Sequence, residues 1–344
     1  QFITEDFMLL ASDGRQRDEF GRSLAIDNGV IAVGAWHDNA NGHGVESGSV
    51  YLFDASDGSQ IVQITAPDGS SYDHFGAGVA LSNGLLAVSA PTHDSRGVAY
   101  IFDVASGILF HQLFPQHTSF SPFTNAIAMG NGVVAVAAKR SNTRIVEVFD
   151  ATTGNYLGLV EPENRDGVEF FGNSIAISDG IIIVGDDLNN SNGRMRTGAA
   201  YLFDATTLTQ IVKLLPDDFH QFDFFGNSVA IDNGIAAVGS FNDDDNGFNS
   251  GSVYLFDATT GTQIAKIIAP DGFANQGFGS SVAINNNILV VGAGLFDESS
   301  QIIGTAYLYS LPSNTLITKV LPEDHSVGDH SEDLFGSTSA VANG

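Results

Sequence analysis

A Phe-Gly pair returns along the chain about every 50 residues, and this period restricts the fold more than any other feature. The intervals between neighbouring pairs agree to within the length of a loop. Such regularity is typical of an array in which each repeat forms one supersecondary unit. The anchors are Phe20-Gly21, Phe75-Gly76, the degenerate Phe123-Thr124, Phe171-Gly172, Phe225-Gly226, Phe278-Gly279 and Phe335-Gly336.

One repeat contains four strand-like segments in succession. In the repeat that begins at Phe225 they are Asn227–Asp232, Ile235–Gly239, Ser252–Asp257 and Gln263–Ala269. All are short, rich in β-branched and aromatic residues and bounded by turn residues, and none has a helical period. Four antiparallel strands at this period predict a blade of a β-propeller, and therefore an all-β fold.

Turn residues separate the strands of each repeat. Strands 1 and 2 are joined by pairs such as Asn233-Gly234, which favour the positive φ of a tight hairpin. Strands 3 and 4 are joined by the compact turn Asp257–Gly261. The longer loops between strands 2 and 3 (the 2–3 loops) and the crossings from strand 4 to the next blade (the 4–1 crossings) then share the opposite face. Because most length variation lies there, this loop face is the better candidate for function.

The repeat boundaries predict a single propeller domain over residues 1–344, seven-bladed, with the last blade split between the termini and incomplete. Residues 1–19 supply strand 4 of the split blade, and residues 335–344 supply its strand 1. Either the chain is a fragment, or a neighbouring molecule supplies the missing strands, since exposed sheet edges invite pairing. The six full repeats are 20–74, 75–122, 123–170, 171–224, 225–277 and 278–334.

Composition narrows the range of partners. Thirteen Lys+Arg against 40 Asp+Glu give a net charge of −27, which repels nucleic acid and anionic membranes. The absence of cysteine excludes disulfides and thiolate metal sites. No apolar run approaches the ~20 residues of a membrane span. We therefore expect no nucleic-acid partner and no membrane-spanning segment.

Three motifs carry a family resemblance: FGNSVAIDNGIAAVGS (225–240), DDDNGFNSGSVYLFDATTGTQI (243–264) and APDG (66–69 and 269–272). They resemble the FG-GAP repeat of integrin α-subunit heads and of secreted bacterial proteins, and they recur over essentially the whole chain. The resemblance implies a seven-bladed propeller, an extracellular or cell-surface location with the signal peptide already removed, and adhesion, but no particular ligand. Integrin-type calcium loops lie between strands 1 and 2. This chain has only a short hairpin there, so those calcium residues are not carried over.

A different loop of the chain is a candidate for Ca²⁺. Clustered carboxylate and amide oxygens around a glycine suit an ion that takes six to eight oxygen ligands. The alternative is that these residues cap turns and solvate the rim. The candidates are Asp243, Asp244, Asp245 and Asn246 in the 2–3 loop of the fifth repeat, Asp223 just before its Phe-Gly pair, and the weaker copies Asp38, Asp186 and Asp187.

Basic residues and the single tryptophan mark a second kind of candidate, for a partner or a glycan. Lys139, Arg140 and Arg144 lie in the third repeat, and Arg194 and Arg196 lie in the fourth. Such residues would dock an acidic surface or polysaccharide, although local charge balancing explains them equally well. Trp36 opens a 2–3 loop, where it would stack on a sugar or be partly buried.

Histidines are frequent in the loops but carry no catalytic pattern. They fall on different repeats and no nucleophile motif accompanies them, so solvated loop histidines are the expected interpretation. Those in the loops are His37, His43, His74, His93, His220, His325 and His330.

No phosphate loop, zinc spacing, catalytic triad or dinucleotide fingerprint occurs in the sequence. The first hypothesis is therefore a secreted, non-enzymatic adhesion or structural module. It would bind other copies of itself, or a cell-surface protein or polysaccharide, through the loop face and unfinished edge strands. The alternative is a glycan-binding propeller or a polysaccharide lyase, which would gather a His, a Tyr and an Arg around one groove.

Overall fold

In the part of the chain that the structure describes, every regular element apart from one short turn is a β-strand. The computed structural model describes residues 8–40, 42–117, 123–140, 143–191, 193–294, 304–321 and 336–342. In these residues the strands form six four-stranded antiparallel sheets, each with its strands in sequence order. The 3₁₀ turn His93–Ser95 is the one helical element among them. Within the same residues, no helix has the length and apolar character needed to cross a membrane.

The chain divides into two compact units, and the first is mainly Phe7–Glu161. It contains blades one to three, and neighbouring blades share hydrophobic cores. Its strands are β1 Phe20–Asp27, β2 Val30–Ala35, β3 Ser49–Asp54, β4 Gln60–Ile64, β5 Gly78–Ser82, β6 Leu85–Ala90, β7 Val98–Asp103, β8 Leu109–Leu113, β9 Phe123–Gly130, β10 Val133–Arg140, β11 Thr143–Asp150 and β12 Tyr156–Val160.

The second unit is mainly Pro162–Val341 and contains blades four to six. Its cores likewise lie between successive blades. Its strands are β13 Ile175–Ser178, β14 Ile181–Asp186, β15 Ala199–Asp204, β16 Gln210–Leu214, β17 Val229–Asp232, β18 Ile235–Ser240, β19 Ser252–Asp257, β20 Gln263–Ile267, β21 Phe278–Asn285, β22 Ile288–Ala293, β23 Thr305–Ser310 and β24 Thr315–Val320. The predicted all-β class and the four-stranded antiparallel blades are confirmed.

The tight hairpins between the first two strands of a blade have the predicted geometry. Both central residues have positive φ, 51° and 75° at Asn83-Gly84 and 48° and 72° at Asn233-Gly234. Two such values in succession give a type I′ turn, whose twist matches the flanking strands. The short turn leaves no room for an integrin-type calcium loop at this end of the blade.

The Phe-Gly signature has a direct packing reason. The carbonyl oxygen of Gly279, which opens blade six, lies against Gly239 of blade five, where an added Cβ would stand only 2.1 Å away. Ser228 donates its hydroxyl to the same oxygen at 2.8 Å. We call this glycine, serine and carbonyl the carbonyl joint. It recurs as Gly34, Ser23 and Gly76, as Gly185, Ser174 and Gly226, and as Gly292, Ser281 and Gly336.

Blade two builds the carbonyl joint with two residues exchanged. Its first strand carries Gly78 where blades one, four, five and six have serine, and Ser89 stands opposite on its second strand. The carbonyl of Asn125, from blade three, takes the place of the Phe-Gly carbonyl. A Cβ at Gly78 would lie 1.9 Å from that oxygen, and Ser89 donates to it at 3.3 Å. The third anchor, Phe123-Thr124, lacks the usual glycine, and the exchange of serine and glycine in blade two compensates for this.

The recurrent aromatic residues form the core. In blades one, two, four, five and six the Phe of the Phe-Gly pair meets the Tyr of the third strand edge to face, with ring centroids 5.5 Å apart for Phe225 and Tyr254. Both rings are buried. Such pairs contribute about 0.5–1.5 kcal/mol beyond the burial of their area. The same arrangement joins Phe75 with Tyr100, Phe171 with Tyr201 and Phe278 with Tyr307.

The described residues contain no strand of the predicted seventh, split blade. Neither 8–19 nor 336–342 contains a strand, and Phe335 lies outside the described residues. Six blades are present, and the single-domain boundaries and the seventh blade stay predictions. Gly336 nevertheless supplies the carbonyl of the joint with blade six and has the positive φ, 77°, of the other anchor glycines.

Candidate functional site

The loop face of each unit is held by backbone pairing between a 2–3 loop and the 4–1 crossing that follows it. Tyr72 donates its N–H to Val45 at 2.7 Å, and Phe222 donates to Met195 at 3.1 Å. Asn275 donates in the same way to Phe248. Each pairing ends in a parallel bridge at the Phe of the next anchor, for example Gly48 with Phe75. The loops are therefore fixed parts of the boundary between blades.

This pairing presents apolar side chains to solvent at equivalent positions. Tyr72 and Phe222 also have φ values of 67° and 72°, which are unusual for bulky residues. Backbone strain of this kind marks a candidate functional surface. The exposed fractions are 49% for Val45, 56% for Tyr72, 57% for Met195, 45% for Phe222 and 66% for Phe248.

The acidic loop of blade five surrounds a lysine. The ammonium of Lys266, on β20, lies 3.0 Å from Asp243, 2.6 Å from Asp245 and 2.8 Å from Asp218. Buried Asp243 also accepts a hydrogen bond from the hydroxyl of Tyr254 at 2.7 Å. Although burial works against the charge, bonds to three carboxylates hold the pKa of Lys266 above its usual range. A cationic side chain thus stands where Ca²⁺ was predicted.

The other members of the predicted calcium set also have protein partners. Asp244 accepts the N–H of Asn249 at 2.7 Å, and the Asn246 amide donates to the carbonyl of Ala269. Asp187 is half-buried. Calcium binding at these residues stays a prediction.

Equivalent loop positions in two other blades are occupied differently. Asp38, buried in blade one, is bonded to Ser49, Tyr51 and Gln63. In blade four the residue beside the tyrosine hydroxyl, that of Tyr201, is Asn189. The side-chain amide of Asn189 donates a hydrogen bond to Asp186 at 2.9 Å.

Asp186 and Asp187 resemble the blade-five loop in sequence because they are carboxylates, whereas backbone bonds match Asn189 to Asp243. Gly198 donates to Asn189 as Gly251 donates to Asp243. Spacing along the chain agrees with the bonds, since Asn189 and Asp243 each lie 18 residues after the Phe of their anchor.

The carboxylates that precede the anchors fix the 4–1 crossings. Asp223 accepts the backbone N–H of His220 at 2.6 Å, and Asp73 and Asp18 make the same bond to Ser70 and Arg15. Burial, with a smaller contribution from nearby Asp243 and Asp244, raises the pKa of Asp223 to about 6. The same bond in three crossings shows that these carboxylates cap turns, which is the alternative to calcium binding.

His93 is buried and not solvated, which corrects the expectation for that loop. Its Nδ1 lies 2.8 Å from Asp73, and its ring meets Tyr100 edge to face. His93 begins the 3₁₀ turn of the short blade-two loop. His93 therefore anchors a loop.

Trp36 lies in a cluster of side chains on the loop face of the first unit. Its ring stacks on His37 with centroids 4.5 Å apart and meets His74 at 5.1 Å. Its indole N–H donates to Glu19 at 2.6 Å, and the Arg22 guanidinium lies over the ring. The indole is thus half-buried and packed by neighbours, which was one of its two predicted fates.

His37 and His74 meet, contrary to the expectation that the loop histidines are scattered. Among the residues that the structure describes, one group of three His or carboxylate side chains has all its ligand atoms within 4.8 Å: His37, Glu46 and His74. They come from one 2–3 loop and the following 4–1 crossing. His74 is distant in sequence from His37 and Glu46, so the sequence pattern did not indicate this group. The three residues come together only because the 2–3 loop pairs with the 4–1 crossing.

The basic candidates lie in both units. In the first, Arg140 pairs with Glu161 at 2.8 Å, Lys139 is exposed and Arg144 is half-buried on β11. In the second, Arg194 donates to the carbonyl of Phe219 and lies over its ring, and Arg196 is exposed. Local partners thus account for Arg140 and Arg194, and the predicted docking role stays a prediction.

Four-stranded antiparallel blades in succession define a protein of the β-propeller class. The chain belongs to the FG-GAP repeat family, whose repeat matches residues 4–53, 59–102, 162–203, 208–256 and 262–309. The solved structure of Kuenenia stuttgartiensis hydrazine synthase is similar over 88% of this chain and 83% of its own, with 12% identity and a TM-score of 0.54. At that identity the likeness shows the fold alone. A search of curated proteins finds no match.

Proposed function

We propose that this chain is an extracellular, non-enzymatic adhesion and assembly module that binds through its loop face. The proposal rests on one observation. The 2–3 loops and 4–1 crossings are locked by backbone hydrogen bonds and hold Tyr72, Phe222 and Phe248 exposed. Rigid exposed aromatic residues lose little conformational entropy on binding and are enriched in protein interfaces.

A protein surface is the partner that this chemistry favours. Each apolar side chain stands beside polar loop groups, as in an interface with an apolar core and a polar rim. A second copy offers the same loops, so head-to-tail or face-to-face contact is available to the chain alone. The net charge of −27 opposes such contact at low ionic strength.

The glycan or lyase alternative gains less support. Two histidines and Arg22 do gather at Trp36, but Glu19 and Glu46 stand in the same cluster. These carboxylates disfavour an acidic polysaccharide, and the packed indole offers a sugar less of its surface.

The seventh blade belongs to the same proposal. We infer that a further repeat begins at Gly336, because its carbonyl is received by Ser281 at 2.9 Å as the other anchors are received by theirs.

The test is bead aggregation with the full chain coupled to the beads, in 150 mM NaCl. A triple substitution of the loop face, Tyr72→Ser, Phe222→Ser and Phe248→Ser, is expected to lower the aggregation rate at least about tenfold, as loss of interface anchors does. Electron microscopy of the free protein should then show shorter particles for the variant.

The matched control is Ile61→Ser, Ile211→Ser and Ile264→Ser. These residues are also exposed and apolar but lie on the outer strand of their blades. The control should aggregate like the unaltered chain. Equal loss in both variants, or no aggregation by the unaltered chain, would refute binding through the loop face.

A further inference from the structure

We propose that His37, Glu46 and His74 form a binding site for a divalent first-row transition metal, with Zn²⁺ as its reference ion. The ligand atoms of the three side chains lie within 4.8 Å of one another, and all three residues are partly buried. This site is separate from the proposed calcium loops and does not depend on the adhesion proposal.

Two of the three ligands are already at a metal-like separation. His74 Nε2 lies 3.4 Å from Glu46 Oε2. Zinc bonds of about 2.0–2.1 Å in tetrahedral geometry place two ligands roughly 3.4 Å apart. The backbone fixes this pair, because His74 donates its N–H to the Glu46 carbonyl at 3.2 Å.

The hydrogen bonds around His74 set its tautomer. Thr92 donates its hydroxyl hydrogen to the carbonyl of Tyr72 at 2.6 Å. Its oxygen therefore accepts from His74 Nδ1, 2.8 Å away. In the neutral ring, with its proton on Nδ1, the lone pair of Nε2 points toward Glu46, and two electron-rich atoms then face each other across 3.4 Å, where a cation would fit.

His37 has the matching outer partner. Its Nδ1 lies 3.3 Å from Glu19 Oε1. Metal-bound histidines characteristically donate their second ring nitrogen to a carboxylate or another oxygen, which fixes the ring and its tautomer. Thr92 is such a partner for His74, and the Glu19 carboxylate lies close enough to serve His37.

The ligand set selects the class of metal. Two imidazoles and one carboxylate suit zinc and its first-row neighbours, whereas Ca²⁺ prefers six to eight oxygen ligands. Three protein ligands leave one tetrahedral position for water or an outside group. Equivalent backbone positions in the second unit carry Arg196 with Phe224, and Asn249 with Gly277, so the ligands are particular to this loop.

Trp36 makes the test specific to the site. It is the single tryptophan of the chain, and its ring stacks on His37. The full chain, stripped with EDTA, is titrated with Zn²⁺ at pH 7.5 while tryptophan emission and melting temperature are followed. We expect a saturable change of emission at one equivalent, with a higher melting temperature.

Variants separate a metal site from a structural cluster. His74→Ala and Glu46→Gln should abolish the saturable change, and Thr92→Val should weaken Zn²⁺ binding about 10- to 100-fold by releasing the ring. His220→Ala, an exposed histidine of the second unit, should bind as the unaltered chain does.

Three results would overturn the proposal. They are no saturable response of the unaltered chain to Zn²⁺, undiminished binding by folded Glu46→Gln, or an equal response to Ca²⁺. Circular dichroism of each variant establishes that it is folded, so that loss of binding is not loss of structure.

Discussion

At the scale of single residues, Lys266 balances the acidic loop of blade five. Lys266→Gln would leave buried Asp243 without its counter-charge, and we expect a loss of about 3 kcal/mol in the free energy of unfolding. Millimolar Ca²⁺ should restore part of that loss, because the freed carboxylates then resemble an oxygen cage. Urea unfolding with and without Ca²⁺ measures both effects.

Lys319→Gln is the matched control for that experiment. Lys319 holds the same strand position in blade six, and the partner it has among the described residues is the half-exposed Asp271. Its loss should cost less than about 1 kcal/mol, and Ca²⁺ should not change it. If Ca²⁺ stabilises the unaltered chain as strongly as Lys266→Gln, the lysine does not substitute for the ion.

Asp223 gives a pH dependence whose sign follows from its burial. The folded-state pKa is raised from 3.8 to about 6, so the folded chain holds this proton more tightly than the unfolded chain. The associated stability is present below about pH 4 and is lost as the pH rises through about 6. Asp223→Asn should therefore stabilise the protein at pH 7.5, by at most about 3 kcal/mol, and give no gain at pH 4.

Asp257 is the control of opposite sign. Hydrogen bonds from Thr260 and Thr259 lower the pKa of this exposed turn carboxylate. Asp257→Asn should destabilise at neutral pH and have less effect at acid pH. Urea unfolding between pH 4 and 8 compares the two variants, and a gain from Asp223→Asn that is equal at both pH values would contradict the assignment.

At the scale of elements, two glycines of blade five separate packing from backbone conformation. Gly239→Ala places a Cβ 2.1 Å from the Gly279 carbonyl, whereas Gly234→Ala meets no atom within 4 Å but has a φ of 72°. We expect a loss of at least about 3 kcal/mol for Gly239→Ala by overpacking, and about 1–2 kcal/mol for Gly234→Ala by strain. Thermal unfolding of both variants tests the carbonyl joint, and equal losses would contradict it.

The outer strands of the blades limit unwanted association. In every blade strand 4 pairs only with strand 3, and a register shift interrupts each pairing, as between Leu255 and Phe256. Short, irregular edge strands are poor templates for another chain. The edges are therefore weaker candidates for assembly than the loop face, even though each carries exposed apolar residues.

At the scale of the whole molecule, the sequence predicted what depends on neighbours along the chain. Hairpins such as Asn233-Gly234 and the strands they join were correct because turn chemistry and alternation are local. The Phe-Gly period likewise predicted the blades. The cluster at Trp36 was not predicted, because His37 and His74 meet only when a loop pairs with the next crossing. The charge balance at Asp243 was not predicted, because Lys266 lies on β20 and is therefore distant in sequence from the loop that carries Asp243.

The carbonyl joint has a consequence for how such a chain changes in length. Blades one, four, five and six each carry the serine and glycine that receive the oxygen, while the following repeat brings the oxygen. Repeats that share this contact are interchangeable at it, so gene duplication or deletion of such a repeat would keep the contact matched. Blade two, whose Gly78 and Ser89 are reversed for Asn125, is fitted to its own neighbour, and blade three carries Ala126 and Ala137 in place of the serine and the glycine.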